Sequence, residues 1–186
     1  MPIVGQVTPD FPCEAYYNDT FVQRNLIVPG IWNILVFYPA DFSFVCPTEL
    51  QELATLYDDF LSLKAELVSL STDSIYVHKA WHDSSNAIST VRFPMVADPG
   101  GRISKSYGVY NEELGQSQRG TFLIDPDRII RAFEVSDNSI GRSGQELLRK
   151  LRAGIYVREN PGMVCSASWK QGEGGIKSGI DMVGKI

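Results

Sequence analysis

Ile31-Trp-Asn-Ile-Leu-Val-Phe-Tyr38, followed across a short loop by Cys46-Pro-Thr-Glu-Leu-Gln-Glu-Leu-Ala-Thr-Leu-Tyr-Asp-Asp-Phe60, decides the fold class. The first run is almost continuously apolar, rich in branched and aromatic residues, and bounded by Pro29-Gly30 and Pro39. That pattern predicts a central strand covered on both faces. In the second run Leu50, Leu53, Leu56, Tyr57 and Phe60 recur three or four apart, with Pro47 in the first turn, where proline is tolerated. An amphipathic helix over 47–60 is expected, with Cys46 at the junction between strand and helix.

Working outward, Glu66–Ser71 reads as a second strand, and a helical stretch runs from Ser74 to about Asn86 with Val77, Ala80 and Trp81 inward. Strand, helix, strand, helix implies a sheet with helical crossovers. Thr121–Ile124 and Ile129–Phe133 flank Asp125-Pro-Asp-Arg128, a turn of the kind that joins antiparallel strands, so the sheet is expected to be mixed. A last helix starts near Ser143, where Ser143 and Glu146 fit a capping box, and Leu147, Leu148, Leu151 and Ile155 form its buried stripe. Beyond Asn160-Pro-Gly162 the periodicity stops, and glycines at 162, 172, 174, 175, 179 and 184 suggest an extended arm. The expected organisation is therefore an α/β domain over 1–160 with a C-terminal arm over 161–186 belonging to the same domain.

A chain of 186 residues can bury a full core, and 44% hydrophobic with 21% charged residues is ordinary for a globular protein. Seventeen Lys and Arg against twenty-two Asp and Glu give a net charge of -5, which argues against nucleic acid or an anionic membrane as partner. No run is long enough to span a membrane, and Met1-Pro-Ile-Val-Gly-Gln lacks the basic and apolar regions of a secretory signal. A cytoplasmic protein is expected. Its three cysteines, at 13, 46 and 165, are too few and too scattered for a disulfide framework, which leaves either redox or nucleophilic chemistry or simple buried thiols.

Position favours Cys46 as the nucleophile. A thiol attacks as thiolate, and the unpaired N–H groups and dipole at a helix start favour negative charge there. The loop Pro39-Ala-Asp-Phe-Ser-Phe-Val45 would lay Ser43 and backbone groups around the sulfur. A nearby cation would add to this, and Arg119, in the polar run Gly115-Gln-Ser-Gln-Arg-Gly120, is a candidate, although by spacing alone it reads as a solvated charge at a strand edge. Rival chemistries lack their residues. There is no Cys-x-x-Cys, no Gly-x-Ser-x-Gly elbow, no Walker loop and no Gly-x-Gly-x-x-Gly turn. His78 and His82 lie four apart on one helix with Asp83 the sole acid nearby, and they read as surface histidines, not a zinc site. No bound cofactor or metal is expected.

The run Phe37–Leu50 resembles the active-site signature of typical two-cysteine peroxiredoxins, Pro-x-x-x-Thr/Ser-x-x-Cys, with Pro39, Ser43 and Cys46 in those places. The resemblance continues through Ser71-Thr-Asp-Ser74, His78-Lys-Ala-Trp81, Phe93–Asp98, Arg119–Asp125 and Val164-Cys165, and the ending Asp181–Ile186 is most similar to the bacterial alkyl hydroperoxide reductase C branch. It implies a thioredoxin-like fold in which Cys46 attacks hydroperoxides and becomes a sulfenic acid. It also implies that Arg119 holds thiolate and peroxide, Ser43 bonds the substrate oxygens, and Pro39 shields the sulfur. Glu49 and Arg142 match positions of a charge network that orients the arginine; without the resemblance they read as a solvated helix-start acid and a loop base.

Cys165 would be the resolving cysteine, reaching Cys46 of a partner subunit once the Cys46 loop unwinds. Val164-Cys-Ser-Ala167 departs mildly from the family's Val-Cys-Pro-Ala. Implied partners are a homodimer, five of which form a decamer, with Phe42 to Val45 and the helix around Val77 and His78 resembling the ring contact. Electrons would come from NADH or NADPH through a separate flavoprotein disulfide reductase, with a thioredoxin-like donor as the alternative. A different class of role, a holdase or redox relay merely triggered by peroxide, would survive loss of the Cys46 thiol. The chain lacks the Gly-Gly-Leu-Gly insertion and Tyr-Phe tail of relatives sensitive to overoxidation. Cys13 has no place in this cycle, so Cys13→Ser is expected to keep wild-type peroxide turnover in a coupled cofactor-oxidation assay; loss of turnover would give Cys13 a role.

Overall fold

A computed structural model describes residues 3–185. The apolar run becomes β3 (Trp32–Phe37), buried at every position. Around it lie β1 (Pro12–Tyr17), β2 (Thr20–Asn25), β4 (Ala65–Ser71), β5 (Met95–Ala97), β8 (Arg119–Ile124) and β9 (Ile130–Ser136) in one seven-stranded sheet of order β2-β1-β5-β4-β3-β8-β9. β3, β4 and β5 run parallel, while β1, β2, β8 and β9 pair antiparallel on the two sides. The sheet is mixed, as the Asp125–Arg128 turn predicts.

Alternation along the strands divides the core in two. Leu35, Phe37, Val68, Leu70, Val96, Phe122 and Ile124 share one cluster with Ile103 and Tyr107 of α4 (Arg102–Tyr107). The intervening Ile34, Val36 and Leu67 are equally buried, on the face served by α1 (Cys46–Thr55), α2 (Tyr57–Ser62) and α3 (Ile75–Ser84). α2 packs on β4, and α3 on β1 and β5. A sheet covered on both faces accounts for the lack of polar alternation in β3 and β4.

Three features differ from the sequence reading. The helix expected over 47–60 is two helices, broken at Leu56 (φ -91, ψ 0); the apolar stripe runs through the break unchanged and so does not mark it. Ala80, expected inward, is exposed, and the buried stripe of α3 is Ile75, His78 and Trp81. The β1–β2 hairpin was not anticipated; its two-residue turn places Asn18 (φ 49) and Asp19 (φ 58) in left-handed conformations that these side chains tolerate. The remaining short strands of this part, β6 (Tyr110–Asn111) and β7 (Gln116–Ser117), form a separate ribbon.

The chain divides into two compact units, one ending at Gly144 and the other starting at Gln145. The second unit comprises nearly all of α5 (Gly144–Glu159) and the tail. The tail is folded onto its own helix, not extended. β10 (Met163–Val164) pairs with β11 (Ile176–Lys177), Trp169 is buried against the Tyr156 ring at 5.0 Å, and Gly175 N–H donates to the Tyr156 hydroxyl at 2.9 Å.

The topology explains how residue 119 reaches residue 46. β8 is antiparallel to β3 with Thr121 opposite Val36, so the start of β8 runs past the end of β3 toward the loop that leads to α1. Gly120 lets β8 pass close to the segment between α4 and β6, since a Cβ there would lie 2.7 Å from Val109 Cγ1. Val109 is buried and β-branched, so it has little room to yield. Gly120→Ala is expected to cost about 1–3 kcal/mol by overpacking, read as a lower urea midpoint at unchanged slope.

Candidate active site

Cys46 occupies the first position of α1, with Val45 as N-cap and Pro47 next. Val45 offers no side-chain cap, so the positive end of the helix is left to act on the groups beside it. The Cys46 side chain is fully buried, at 0% exposure.

Against the sulfur stands Arg119, whose Nη1–H points at Cys46 Sγ at 3.3 Å and also donates to Glu49 Oε2 at 2.7 Å. Its Nε–H donates to the Asn138 carbonyl at 2.9 Å. Arg119 is 2% exposed, so the strand-edge solvated charge suggested by its spacing is not what forms. Glu49, one helical turn after Cys46, is likewise buried. Arg142 clamps it with a fork: Nε–H to Oε1 at 2.9 Å, Nη2–H to Oε2 at 3.0 Å, and the backbone N–H to Oε1 at 2.7 Å. Arg142 Nη1–H in turn donates to the Gly120 carbonyl at 2.8 Å and Thr121 Oγ1 at 2.9 Å, locking the clamp to β8.

Four donors saturate the Glu49 carboxylate. Burial pushes its ionisation up, but the hydrogen bonds and charge of Arg142, with the charge of Arg119, outweigh this and hold the carboxyl below its ordinary value. Two guanidiniums and one carboxylate leave one positive charge in excess, which an anionic sulfur would balance. The Arg119 N–H facing the sulfur is a strong, charge-assisted bond in that form.

Pro39 is buried in the loop before α1. The Ser43 hydroxyl donates to the Ala40 carbonyl at 2.8 Å, which leaves its oxygen lone pairs to accept from a guest. The same loop holds a residue that sequence reasoning passed over: Asp41, bonded to Tyr38 and His78. His78 is therefore no surface histidine but a fully buried one, and His82 is half-buried with Nε2 on the Val91 carbonyl at 3.2 Å. The stripe Ile75, His78, Trp81 carried the missed signal.

Within the second unit, Cys165 is half-buried, with Sγ 3.9 Å from the Ala153 carbonyl. Burial raises its thiol above the ordinary value, against the opposing pull of Arg149. Cys13 is buried on β1, where burial pushes its thiol to about 11. Such a thiol is inert.

A buried thiol stands at a helix start, held by a clamped arginine at the end of a mixed sheet, on a thioredoxin-like frame. The AhpC/TSA family matches residues 4–133, and this chain belongs to that family. The chain is 45% identical over 188 residues to alkyl hydroperoxide reductase C of Amphibacillus xylanus, covering all of both chains. It is 49% identical over 189 residues to that of Staphylococcus saprophyticus, again over the full length of both. Among solved structures, Enterococcus faecalis AhpC superposes with a TM-score of 0.85 at 41% identity, over 89% of this chain and 100% of that one. The reduced 2-Cys peroxiredoxin of Plasmodium vivax gives 0.88 at 34% identity, over 92% and 91%.

Glu49→Gln leaves two buried guanidiniums short of their counter-charge, and a loss of about 3–5 kcal/mol in urea unfolding is expected. Because folding lowers the Glu49 ionisation, its contribution is complete above the ordinary carboxyl value of 4.5 and is lost as pH falls below it. The gap in stability between wild type and Glu49→Gln should therefore narrow on acidification below that value. A gap that stays constant with pH would show that the carboxylate charge is not what Arg119 and Arg142 use.

Proposed function

We propose that this protein is a thiol peroxidase that reduces hydrogen peroxide and organic hydroperoxides at Cys46. The observation that carries this reading is the 3.3 Å contact between Arg119 Nη1 and Cys46 Sγ, with both groups buried. The sulfur attacks the nearer peroxide oxygen, the O–O bond breaks, and the departing oxygen leaves as water or alcohol once it takes up a proton. Cys46 becomes a sulfenic acid. Arg119 stabilises the negative charge that moves from sulfur to the departing oxygen, at a site that excludes water. Ser43, its own proton committed to Ala40, accepts from the peroxide O–H, and Pro39 covers the sulfur. Glu49 and Arg142 act through Arg119 as positioning residues.

Cys165 then attacks the sulfenic sulfur, releasing water and forming a disulfide. Cys46 is wholly buried, and a disulfide needs the two Cα atoms within about 7 Å, so the first turn of α1 and its loop must open. We assign the Cys165 thiol to the partner subunit of a homodimer, with assembly to a decamer. Phe44 (95% exposed) and Tyr76 (69%) offer an apolar surface for that assembly; buried His78 does not. A separate flavoprotein reductase fed by NADH or NADPH would return both thiols, with a thioredoxin-like protein as the other donor. No helix of the described residues is long and apolar enough to cross a membrane, and a cytoplasmic setting suits the free thiols.

Non-reducing mass analysis after one equivalent of hydrogen peroxide tests the cycle. A covalent dimer linked Cys46 to Cys165 is expected for wild type, sulfenic acid without the link for Cys165→Ser, and neither for Cys46→Ser. A link that persists in Cys46→Ser would overturn the assignment.

A further inference from the structure

Cys46 is followed in the chain by Pro47, the one residue in the first turn of α1 that carries no backbone N–H. Proline suits a helix start, but a helix start that serves an anion gains from every free donor it offers. The neighbouring donors are already spent: the N–H groups of Thr48 and Glu49 both point to the Val45 carbonyl, at 3.0 and 3.3 Å, and the Thr48 hydroxyl joins them at 2.7 Å. An N–H at residue 47 would be left free, in the residue next to the sulfur. Proline thus withholds a donor from the end of the helix where a thiolate would use it. What it gives in return concerns the next state of the sulfur.

That state, on the peroxidase reading, is a sulfenic acid. A sulfenic acid condenses with a thiol to give a disulfide, and with a backbone nitrogen to give a sulfenamide. Ring size sets which nitrogen can close on Cys46. The N–H of Cys46 itself would close a strained four-membered ring, whereas the nitrogen of residue 47 closes a five-membered one through Cβ, Cα and the carbonyl carbon. In that step the S–N bond forms while the S–O and N–H bonds break. The oxygen leaves as water, taking its own hydrogen and that of the amide, and no oxidant or reductant is consumed. The tertiary nitrogen of Pro47 has no hydrogen to give up, so a neutral ring cannot form. Arg119 Nη1, 3.3 Å from the sulfur, is no substitute, since a protonated guanidinium offers no lone pair.

Ring closure brings Cβ and the residue 47 nitrogen close to eclipsed about the Cα–C bond of Cys46, which the helical backbone at that residue does not allow. Opening of the first turn, needed for Cys165 to reach the sulfur, lifts that restraint. The two condensations would then compete in the same opened state, and a ring closed within one stretch of chain has the advantage of proximity. We propose that Pro47 closes the route from the Cys46 sulfenic acid to a cyclic sulfenamide, so that the opened site leads to the disulfide with Cys165. This role of Pro47 rests on the peroxidase reading and deepens it. Pro47 takes no part in the attack on the peroxide; it determines what the product of that attack becomes.

The test uses full-length protein in which Cys13→Ser and Cys165→Ser leave Cys46 as the sole cysteine, so that no other thiol of the chain can trap the sulfenic acid. One equivalent of hydrogen peroxide is added to the reduced protein, and its mass is followed with time under non-reducing conditions. With Pro47 in place, the mass is expected to gain one oxygen and to hold there. With Pro47→Ala, the oxygenated species is expected to give way to one lighter by a water, with the new link mapped to residues 46 and 47 and reversed by a small thiol. Thr48→Ala is the control: it removes the hydroxyl bond to Val45 and loosens the same turn while keeping Pro47. It should hold its oxygen as the Pro47 protein does.

An oxygenated species that lasts as long in Pro47→Ala as with Pro47 would overturn the proposal. So would loss of water from the Pro47 protein or from Thr48→Ala, because a nitrogen other than that of residue 47 would then be closing on the sulfur. Should Pro47→Ala fail to fold, as judged by far-UV circular dichroism, Pro47→Ser restores the N–H with a residue favoured at helix starts and is expected to lose water in the same way. A sole-cysteine protein with Pro47 that gains no oxygen would bring down the peroxidase reading, and the role of Pro47 with it. A normal gain of oxygen that is followed by loss of water in neither residue 47 variant would bring down the role of Pro47 alone.

Discussion

The carboxylate of Glu49 is the group on which the rest of the site depends. It accepts four hydrogen bonds, from Arg119 and from three N–H groups of Arg142, and so joins helix α1, strand β8 and the loop that precedes α5. Cys46 and Glu49 are three residues apart on the first turn of one helix, so fixing the carboxylate fixes the sulfur. Arg119, with a long flexible side chain, is held from both ends by Glu49 and the Asn138 carbonyl, and its planar fork is presented to the sulfur without further ordering. Lysine in its place would bring the charge but not two fixed directions.

Buried charges of this kind are costly to desolvate, and their mutual attraction only offsets the cost when every donor and acceptor is matched. The arrangement here meets that condition for the carboxylate and leaves the cluster one positive charge in excess. The imbalance is local and lies beside the sulfur. A neutral thiol would leave it uncompensated, while a sulfur anion or the anionic oxygen of a breaking peroxide would satisfy it. In the proposed reaction the same excess charge would serve both the resting nucleophile and the charge that develops during its attack.

Much of this was legible in the sequence, because β3 and α1 carry patterns that only a buried strand and an amphipathic helix produce, and Cys46 stands between them. The break at Leu56 was not legible, since Leu53, Leu56, Tyr57 and Phe60 keep helical spacing across it. Nor was the burial of Arg119. Its partners Cys46 and Glu49 lie 73 and 70 residues away in the chain, and no local pattern carries that information. Position alone made Arg119 a candidate cation beside the thiol, but only the family resemblance pointed to Glu49 and Arg142 and favoured a buried role for Arg119 over a solvated one. His78 is the instructive case between these. It falls three residues from both Ile75 and Trp81, on the buried stripe, but a histidine there reads as polar until Asp41 is known to meet it.

Burial of the sulfur has a consequence for the whole cycle. A site that excludes water strengthens every interaction that Arg119 makes, yet it also shuts out a second cysteine. In the proposed cycle the two halves thus require opposite states of the same loop. Stability of the closed loop cannot be maximised without slowing disulfide formation, and it cannot be relaxed without losing the first step. The loop is accordingly held by a few polar ties at Asp41 and Ser43 and by a strained Phe42, and not by a continuous hydrogen-bonded ladder. Few ties, each specific, let a segment open cooperatively while β3 and the core beneath it remain folded.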